Sequence, residues 1–133
     1  MKIKVSEATN LQLDWLVAKC RGYSEIKIYL PHRPTDRGWI EVRFNPDPKT
    51  ATARFDPTEN WFFGGPIIER ECIELHAYDA ASLVPKNPAY WEATIFEKDE
   101  GIEYYGPTPL VAAMRAYVAS KLGDEVEVPD EFA

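Results

Sequence analysis

Two segments with helical periodicity lie near the two ends of the chain and enclose a middle region of short β-rich runs. The first spans Asn10–Cys20, and the second follows Thr108 and stops at Gly123. This order is typical of an α+β domain, here an antiparallel β-sheet packed against N-terminal and C-terminal helices, with a short middle helix at 66–71. The predicted strands are 26–30, 39–44, 50–55, 72–77, 90–96 and 102–105, with a loop around Pro85 and Pro88 before the fifth.

Both end helices have recognisable caps. Thr9 is followed three residues later by Gln12, a capping-box pattern in which each side chain bonds a free backbone N–H of the first turn. Thr108 is a suitable cap for the second helix, Pro109 fits the first helical position, and Gly123 supplies a left-handed stop. The apolar stripe of the first helix consists of Leu13, Leu16, Val17 and Cys20.

The segment 55–66 has the most unusual composition. Trp61 opens a run of three aromatic residues that leads directly into Gly64, Gly65 and Pro66. The glycines allow the backbone to reach positive φ or to approach another group closely, and Pro66 suits the first position of a helix. We therefore expect the short middle helix to begin at Pro66. Of the four tryptophans, we expect Trp61 to be partly exposed, whereas core packing is the simpler interpretation of the others.

Charge restricts the partners. The net charge is −7, and five acids fall in the last ten residues, where no base lies, so residues 1–123 are close to electroneutral. A near-neutral body offers little charge to neutralise phosphates, which argues against binding to duplex nucleic acid. Arg33 and Arg37 make the loop at 31–38 the most basic local surface, and a solvated hairpin tip is its simplest interpretation.

The usual catalytic patterns are not found. His32 and His76 are the two histidines, and no serine lies in a Gly-x-Ser-x-Gly turn. Cys20 and Cys72 lack a second close pair of zinc ligands. Gly64-Gly65-Pro66 matches neither the phosphate-loop nor the dinucleotide fingerprint. We therefore predict no catalytic residue, no metal site and no cofactor, and whether the protein is an enzyme stays open, with a non-enzyme favoured.

The segment around Trp61 is nevertheless a candidate ligand site. Backbone N–H groups at a helix start can face an anion, Arg70 can bind it in bidentate fashion, and Trp61 can stack on a planar base. The simpler alternative is a tight turn with Arg70 in a surface ion pair to a neighbouring glutamate. The predicted ligand-binding residues are Asn60, Trp61, Gly64, Gly65, Arg70 and Thr108.

The N-terminus lacks the apolar core of a signal peptide, and no stretch approaches the roughly 18 apolar residues of a membrane span. Two cysteines in apolar surroundings fit a reducing compartment. We therefore expect a cytoplasmic protein without a membrane partner.

The chain resembles the NinX-like family of small proteins from lambdoid phages and prophages. The resemblance rests on MKIKVSEA at 1–8, LDWLVAK at 13–19, NW at 60–61, GGPIIERE at 64–71, WEA at 91–93, GPTPLVAAMR at 106–115 and VASKLGDE at 118–125. More distantly, the chain is similar to the phage α-β-α sandwich domain, which implies that all three helices pack against one sheet. We expect one domain over 1–123, with a variable β insertion at 24–55, followed by the acidic tail 124–133.

The resemblance implies a phage accessory protein acting in the host bacterial cytoplasm, and it supplies no catalytic residues. Our first hypothesis is a non-enzymatic protein that binds a host protein or a small, nucleotide-like anionic ligand during infection. One alternative is a small nucleotide-processing enzyme without a recognisable motif. Another is an acidic inhibitor of a host nucleic-acid-binding enzyme. Unpaired strand edges also favour a homo-oligomer.

Overall fold

The computed structural model describes residues 1–78 and 90–132, which form three α-helices and eight strands in three antiparallel sheets. The helices are α1 (Asn10–Cys20), α2 (Trp61–Arg70) and α3 (Pro109–Leu122). The strands are β1 (Lys2–Lys4), β2 (Ile26–Tyr29), β3 (Trp39–Val42), β4 (Ala53–Arg54), β5 (Glu74–Tyr78), β6 (Tyr90–Glu97), β7 (Glu100–Gly106) and β8 (Glu125–Glu127). The predicted α+β class is confirmed. The predicted loop around Pro85 and Pro88 lies outside the described residues.

The caps of α1 and α3 confirm the expectations from sequence. The Thr9 hydroxyl oxygen accepts from the Gln12 N–H at 3.2 Å, and Gln12 Oε1 accepts from the Thr9 N–H at 2.9 Å. The Thr108 hydroxyl oxygen accepts from the Val111 N–H at 3.2 Å. Gly123 ends α3 with φ +92°, a conformation that favours glycine. Because both helices begin at these caps, their N-terminal ends have fixed positions.

Helix α3 forms the centre of the molecule. It is buried on almost every side because α1, α2 and the sheet of β5, β6 and β7 all pack against it. A helix that is apolar all round is stable only in such an enclosed position. Its alanines at 112, 113 and 116 are buried and allow the sheet to approach closely. None of the described helices is long and apolar enough to cross a membrane.

The sheet of β5, β6 and β7 positions the beginning of α3. Its strands pair in sequence order, with Trp91 opposite Gly106 at the end nearest the helix. A Cβ atom at Gly106 would lie 2.8 Å from the Ala112 nitrogen, so glycine permits this close approach of strand and helix. The turn after Gly106 then places Thr108 beside the beginning of α1.

The sandwich resemblance implied that all three helices pack against one sheet. The structure has three separate sheets instead. Strands β2, β3 and β4 form a second sheet, and β1 and β8 form a third. The predicted strand 50–55 is reduced to Ala53–Arg54. The segment 24–55 nevertheless contributes to the core, because Ile40, Val42 and Phe55 are buried.

Residues 124–132 of the acidic segment pack against the rest of the domain and do not form a free arm. Strand β8 pairs with β1, and this register places Lys2 opposite Glu127 and Lys4 opposite Glu125. Val126 and Val128 are buried in the core, and the Tyr104 hydroxyl donates to the Asp124 carboxylate. The predicted boundary after residue 123 therefore does not separate a tail from the folded domain, because lysines of β1 complement its charge and two valines anchor it.

Candidate binding surfaces

Helix α2 begins five residues earlier than predicted. The Asn60 side-chain oxygen accepts from the Phe62 N–H at 3.0 Å and caps the helix, which therefore begins at Trp61. Pro66 lies inside the helix and not at its first position, which corrects the predicted helix over 66–71. The signal for the true start was the Asn60 cap, because asparagine is among the preferred capping residues.

The two glycines have different local roles. A Cβ atom at Gly64 would lie 2.5 Å from Leu110 Cδ2 and 2.7 Å from the Pro57 carbonyl oxygen, so α2 and α3 meet closely there. Gly65 precedes Pro66, and its missing Cβ relieves part of the steric clash that normally keeps the residue before a proline out of helical geometry. Neither glycine has positive φ. The sequence suggested that Gly64 and Gly65 allow either a positive φ or a close approach of another group, and only the close approach is found.

The beginning of α2 places aromatic side chains at the surface. Phe62 is 77% exposed and Trp61 is 53% exposed, as expected for Trp61, and Phe44 is 42% exposed. Phe63 stacks on Phe44 with ring centroids 5.7 Å apart and contacts the buried Phe55 ring at 5.1 Å. We call Phe44, Trp61, Phe62, Phe63 and Pro66 the aromatic patch. These residues line a shallow hollow of about 650 Å³.

A second concave surface lies where the three helices begin. We call it the helix-start groove. It has a volume of about 390 Å³, within the range of small-molecule sites. Arg37 crosses it, and its Nη1 donates to Glu59 Oε1 at 2.8 Å. An adjoining cleft of about 320 Å³ shares Asn10, Arg37 and Glu59 with the groove. The groove is lined by Asn10, Arg37, Thr58, Glu59, Trp61, Pro107, Thr108, Pro109, Leu110 and Val111.

Asp14 lies at the bottom of the adjoining cleft and is almost completely buried. Its Oδ1 accepts a hydrogen bond from the Thr58 backbone N–H at 3.0 Å. Burial raises the pKa of the Asp14 carboxyl to about 8, because the charged form loses its hydration, and the hydrogen bond from Thr58 opposes this effect. At neutral pH the carboxyl is therefore largely protonated.

The structure brings some of the predicted ligand residues together and separates others. Trp61 and Thr108 both line the helix-start groove, and Asn60 caps α2 beside it. Gly64 is buried between α2 and α3. Arg70 is the last residue of α2, roughly 13 Å along the helix axis from Trp61 at about 1.5 Å per residue. Gly65 lies inside α2 and not at its start, so the expected helix start at this glycine is not found. The ligand role of the six predicted residues stays a prediction.

Arg37 of the groove and Asp14 of the adjoining cleft are not among the predicted ligand residues. From sequence, the simplest interpretation of Arg37 is a solvated hairpin tip, and Asp14 is not part of the apolar stripe of α1. Asp14 is buried by the turn around Thr58, 44 residues later in the chain, so no local pattern marks it. Within the described residues, no group of three or more His, Cys, Asp or Glu side chains is arranged to hold a metal ion.

The comparison with protein families agrees with the resemblance. The family model described as "Bacteriophage P22, NinX" matches residues 4–121. This range includes α1, α2, all of α3 except its last residue, and every residue of the aromatic patch and the helix-start groove. No curated protein matches the chain. Because the family model covers most of the sequence, the chain belongs to the bacteriophage P22 NinX family.

Proposed function

We propose that this protein is a non-enzymatic phage accessory protein that binds a host protein through the aromatic patch. The observation that carries the proposal is the exposure of Phe62 and Trp61 at the beginning of α2. Phe62 is the most exposed of the large apolar side chains among the described residues, and burial of these two rings by a partner is favourable. Exposed aromatic residues that cluster in this way mark interaction sites on soluble proteins.

The size of the patch fits an anchor for a protein partner. Fully exposed aromatic side chains present about 150–250 Å², so the exposed fractions of Phe44, Trp61 and Phe62 leave roughly 350 Å² of apolar surface in water. At about 25 cal/mol per Å², burial of this area contributes about 9 kcal/mol before the cost of association is subtracted. A few such aromatic anchors dominate most interfaces.

The patch is also held in place before a partner arrives. Phe63 contacts the Phe62 ring at 5.1 Å, and it contacts Phe55 of the core. The Asn60 cap fixes the first turn of α2, so the backbone that bears both anchors is ordered. Side chains that are already positioned lose less conformational entropy on binding, which raises the affinity gained from each contact.

The test is affinity capture from infected host extract with the wild-type protein and two alanine variants. Phe62→Ala removes the most exposed anchor, and we expect it to weaken binding of the captured protein by about 30-fold or more, since hot-spot residues contribute at least ~2 kcal/mol. Phe96→Ala is the matched control, because Phe96 is 61% exposed but lies on β6, outside the patch. Equal capture by wild type and Phe62→Ala would contradict the proposal.

A second candidate function is binding of a small, nucleotide-like anion in the helix-start groove. It is favoured by one observation: Trp61, Thr108 and Arg37 line the same hollow. Trp61 would stack on the base, while Arg37 would exchange Glu59 for a phosphate. Calorimetric titration with a panel of nucleoside monophosphates and diphosphates tests it, and Arg37→Ala should abolish any heat of binding. The same panel, followed for turnover with and without divalent metal, tests the enzyme alternative.

A further inference from the structure

The sheet of β5, β6 and β7 has an outer face that differs in chemistry from the aromatic patch. Helix α3 covers the inner face of this sheet. On the outer face, strand alternation presents His76 and Tyr78 from β5, Tyr90 and Glu92 from β6, and Tyr105 from β7. All three tyrosines are exposed. We call these five residues, together with Glu74 and Glu103, the tyrosine face.

The tyrosine rings form a continuous aromatic platform. Tyr78 and Tyr90 lie opposite each other on neighbouring strands and stack with centroids 5.0 Å apart and an interplanar angle of 10°. Tyr105 contacts Tyr90 edge to face at 5.6 Å, and His76 contacts Tyr78 at 4.8 Å. Each exposed ring face has negative electrostatic potential and attracts cations.

Carboxylates lie beside this platform in the same sheet. Glu92 lies between His76 and Tyr105 in one row of paired residues. In the next row, Thr94 separates Glu74 from Glu103. Among the described residues, none of these three glutamates forms an ion pair, and the outward positions of the three strands hold no lysine or arginine.

Among the described residues, Arg115 is a base at the edge of this surface. Arg115 lines a hollow of about 470 Å³ with Tyr90, Tyr105 and Glu103. Its Nη1 donates to the Tyr105 carbonyl at 2.8 Å and its Nη2 to the Ala8 carbonyl at 3.1 Å. These hydrogen bonds hold Arg115 against backbone oxygens, and among the described residues it forms no ion pair with the glutamates of the face. The negative charge of Glu92 raises the pKa of the Tyr78 and Tyr105 phenols.

We infer that the tyrosine face docks an arginine-bearing basic segment of a protein partner. Arginine fits better than lysine because its planar guanidinium stacks on a tyrosine ring while it donates in bidentate fashion to a carboxylate. The face extends across three strands, about 10 Å wide at roughly 4.8 Å per strand spacing, and about 15 Å along the strands. This area accommodates several side chains of an extended segment, so a single small cation would leave most of it unused.

The probes are fluorescein-labelled octa-arginine and octa-lysine, and the measurement is fluorescence anisotropy at low salt. We expect the full-length protein to bind octa-arginine several-fold more tightly than octa-lysine. Glu92→Gln and Tyr105→Ala should each weaken octa-arginine binding by about two- to fivefold, since one exposed cation–π contact or ion pair contributes about that much. Tyr105→Phe keeps the ring and should restore binding.

The controls separate this surface from net charge and from the aromatic patch. Glu69→Gln removes the same charge from exposed α2 and should leave affinity within twofold. Phe62→Ala should also leave it unchanged, so this inference and the proposed function fail independently. Equal binding of the two peptides, or equal losses in Glu92→Gln and Glu69→Gln, would show attraction by net charge alone and would overturn the inference. Absence of octa-arginine binding would overturn it as well.

Discussion

The buried carboxyl of Asp14 makes the stability of this protein depend on pH in an unusual direction. The pKa of Asp14 is about 8 in the folded protein, whereas the ordinary aspartate pKa of 3.8 applies in an unfolded chain. Between these two values the folded state binds more protons than the unfolded state. Rising pH therefore favours unfolding, and this contribution to stability is fully present only below the lower value.

The magnitude follows from the two pKa values. Each unit of difference corresponds to about 1.4 kcal/mol, so this carboxyl alone lowers the free energy of unfolding by about 4 kcal/mol between pH 5 and pH 8. This is a large part of the 5–15 kcal/mol typical of small proteins. Asp14→Asn keeps the size of the side chain and an oxygen to accept from the Thr58 N–H. It removes the ionisation, so we expect the variant to be more stable than wild type by several kcal/mol at pH 8.

The assay is urea unfolding of wild type and Asp14→Asn at pH 5 and pH 8, followed by tryptophan fluorescence. The difference between the two proteins should grow by about 4 kcal/mol from the lower to the higher pH, while other titrating groups cancel because both proteins share them. Glu7→Gln is the control, because it also removes a carboxyl group, but one that is exposed. Its stability difference from wild type should not grow in this way. A constant difference at both pH values would refute the argument.

Three further changes test the packing, the α1 cap and the C-terminal segment. Gly64→Ala should lower the free energy of unfolding by about 1–3 kcal/mol, because the new Cβ atom would meet the Pro57 carbonyl and Leu110. Gly65→Ala should lower it by less, and equal thermal unfolding midpoints of the two variants would contradict this. Thr9→Ala should lower the free energy of unfolding in urea by about 1 kcal/mol through loss of the α1 cap. Deleting 124–133 should cost several kcal/mol, since Val126 and Val128 are buried; a deleted chain with unchanged urea midpoint would show that this segment is a free tail.

Local signals were sufficient to predict the helices at both ends. The capping box of Thr9 and Gln12 and the Thr108 cap depend on residues three positions apart, so a single sequence contains all the relevant contacts. The start of the middle helix differs from the prediction because proline suits a first helical position better than an internal one, and Pro66 is internal. The preceding Gly65 makes the internal position of Pro66 acceptable. This effect is also local, but two glycines before a proline are more typical of a turn than of a helix interior.

Long-range contacts explain what could not be predicted. Strands β1 and β8 are three residues each and come from opposite ends of the chain, so neither shows enough alternation to be identified by itself. Their pairing converts an acidic tail into part of the core. Likewise, Asp14 becomes buried through Thr58, and Arg37 joins the groove through Glu59. The exposure of Trp61 was predictable, whereas its place beside Thr108 required the packing of α2 on α3.

Trp61 contributes to both the aromatic patch and the helix-start groove, so its substitution alone does not distinguish a protein partner from a small ligand. Residues that belong to one surface make this distinction. Phe62 lines the patch but not the groove, and Arg37 lines the groove but not the patch. If Phe62→Ala abolishes binding of a ligand while Arg37→Ala preserves it, that ligand docks on the aromatic side of Trp61. The reverse result places the ligand in the groove, where binding must also compete with the ion pair between Arg37 and Glu59.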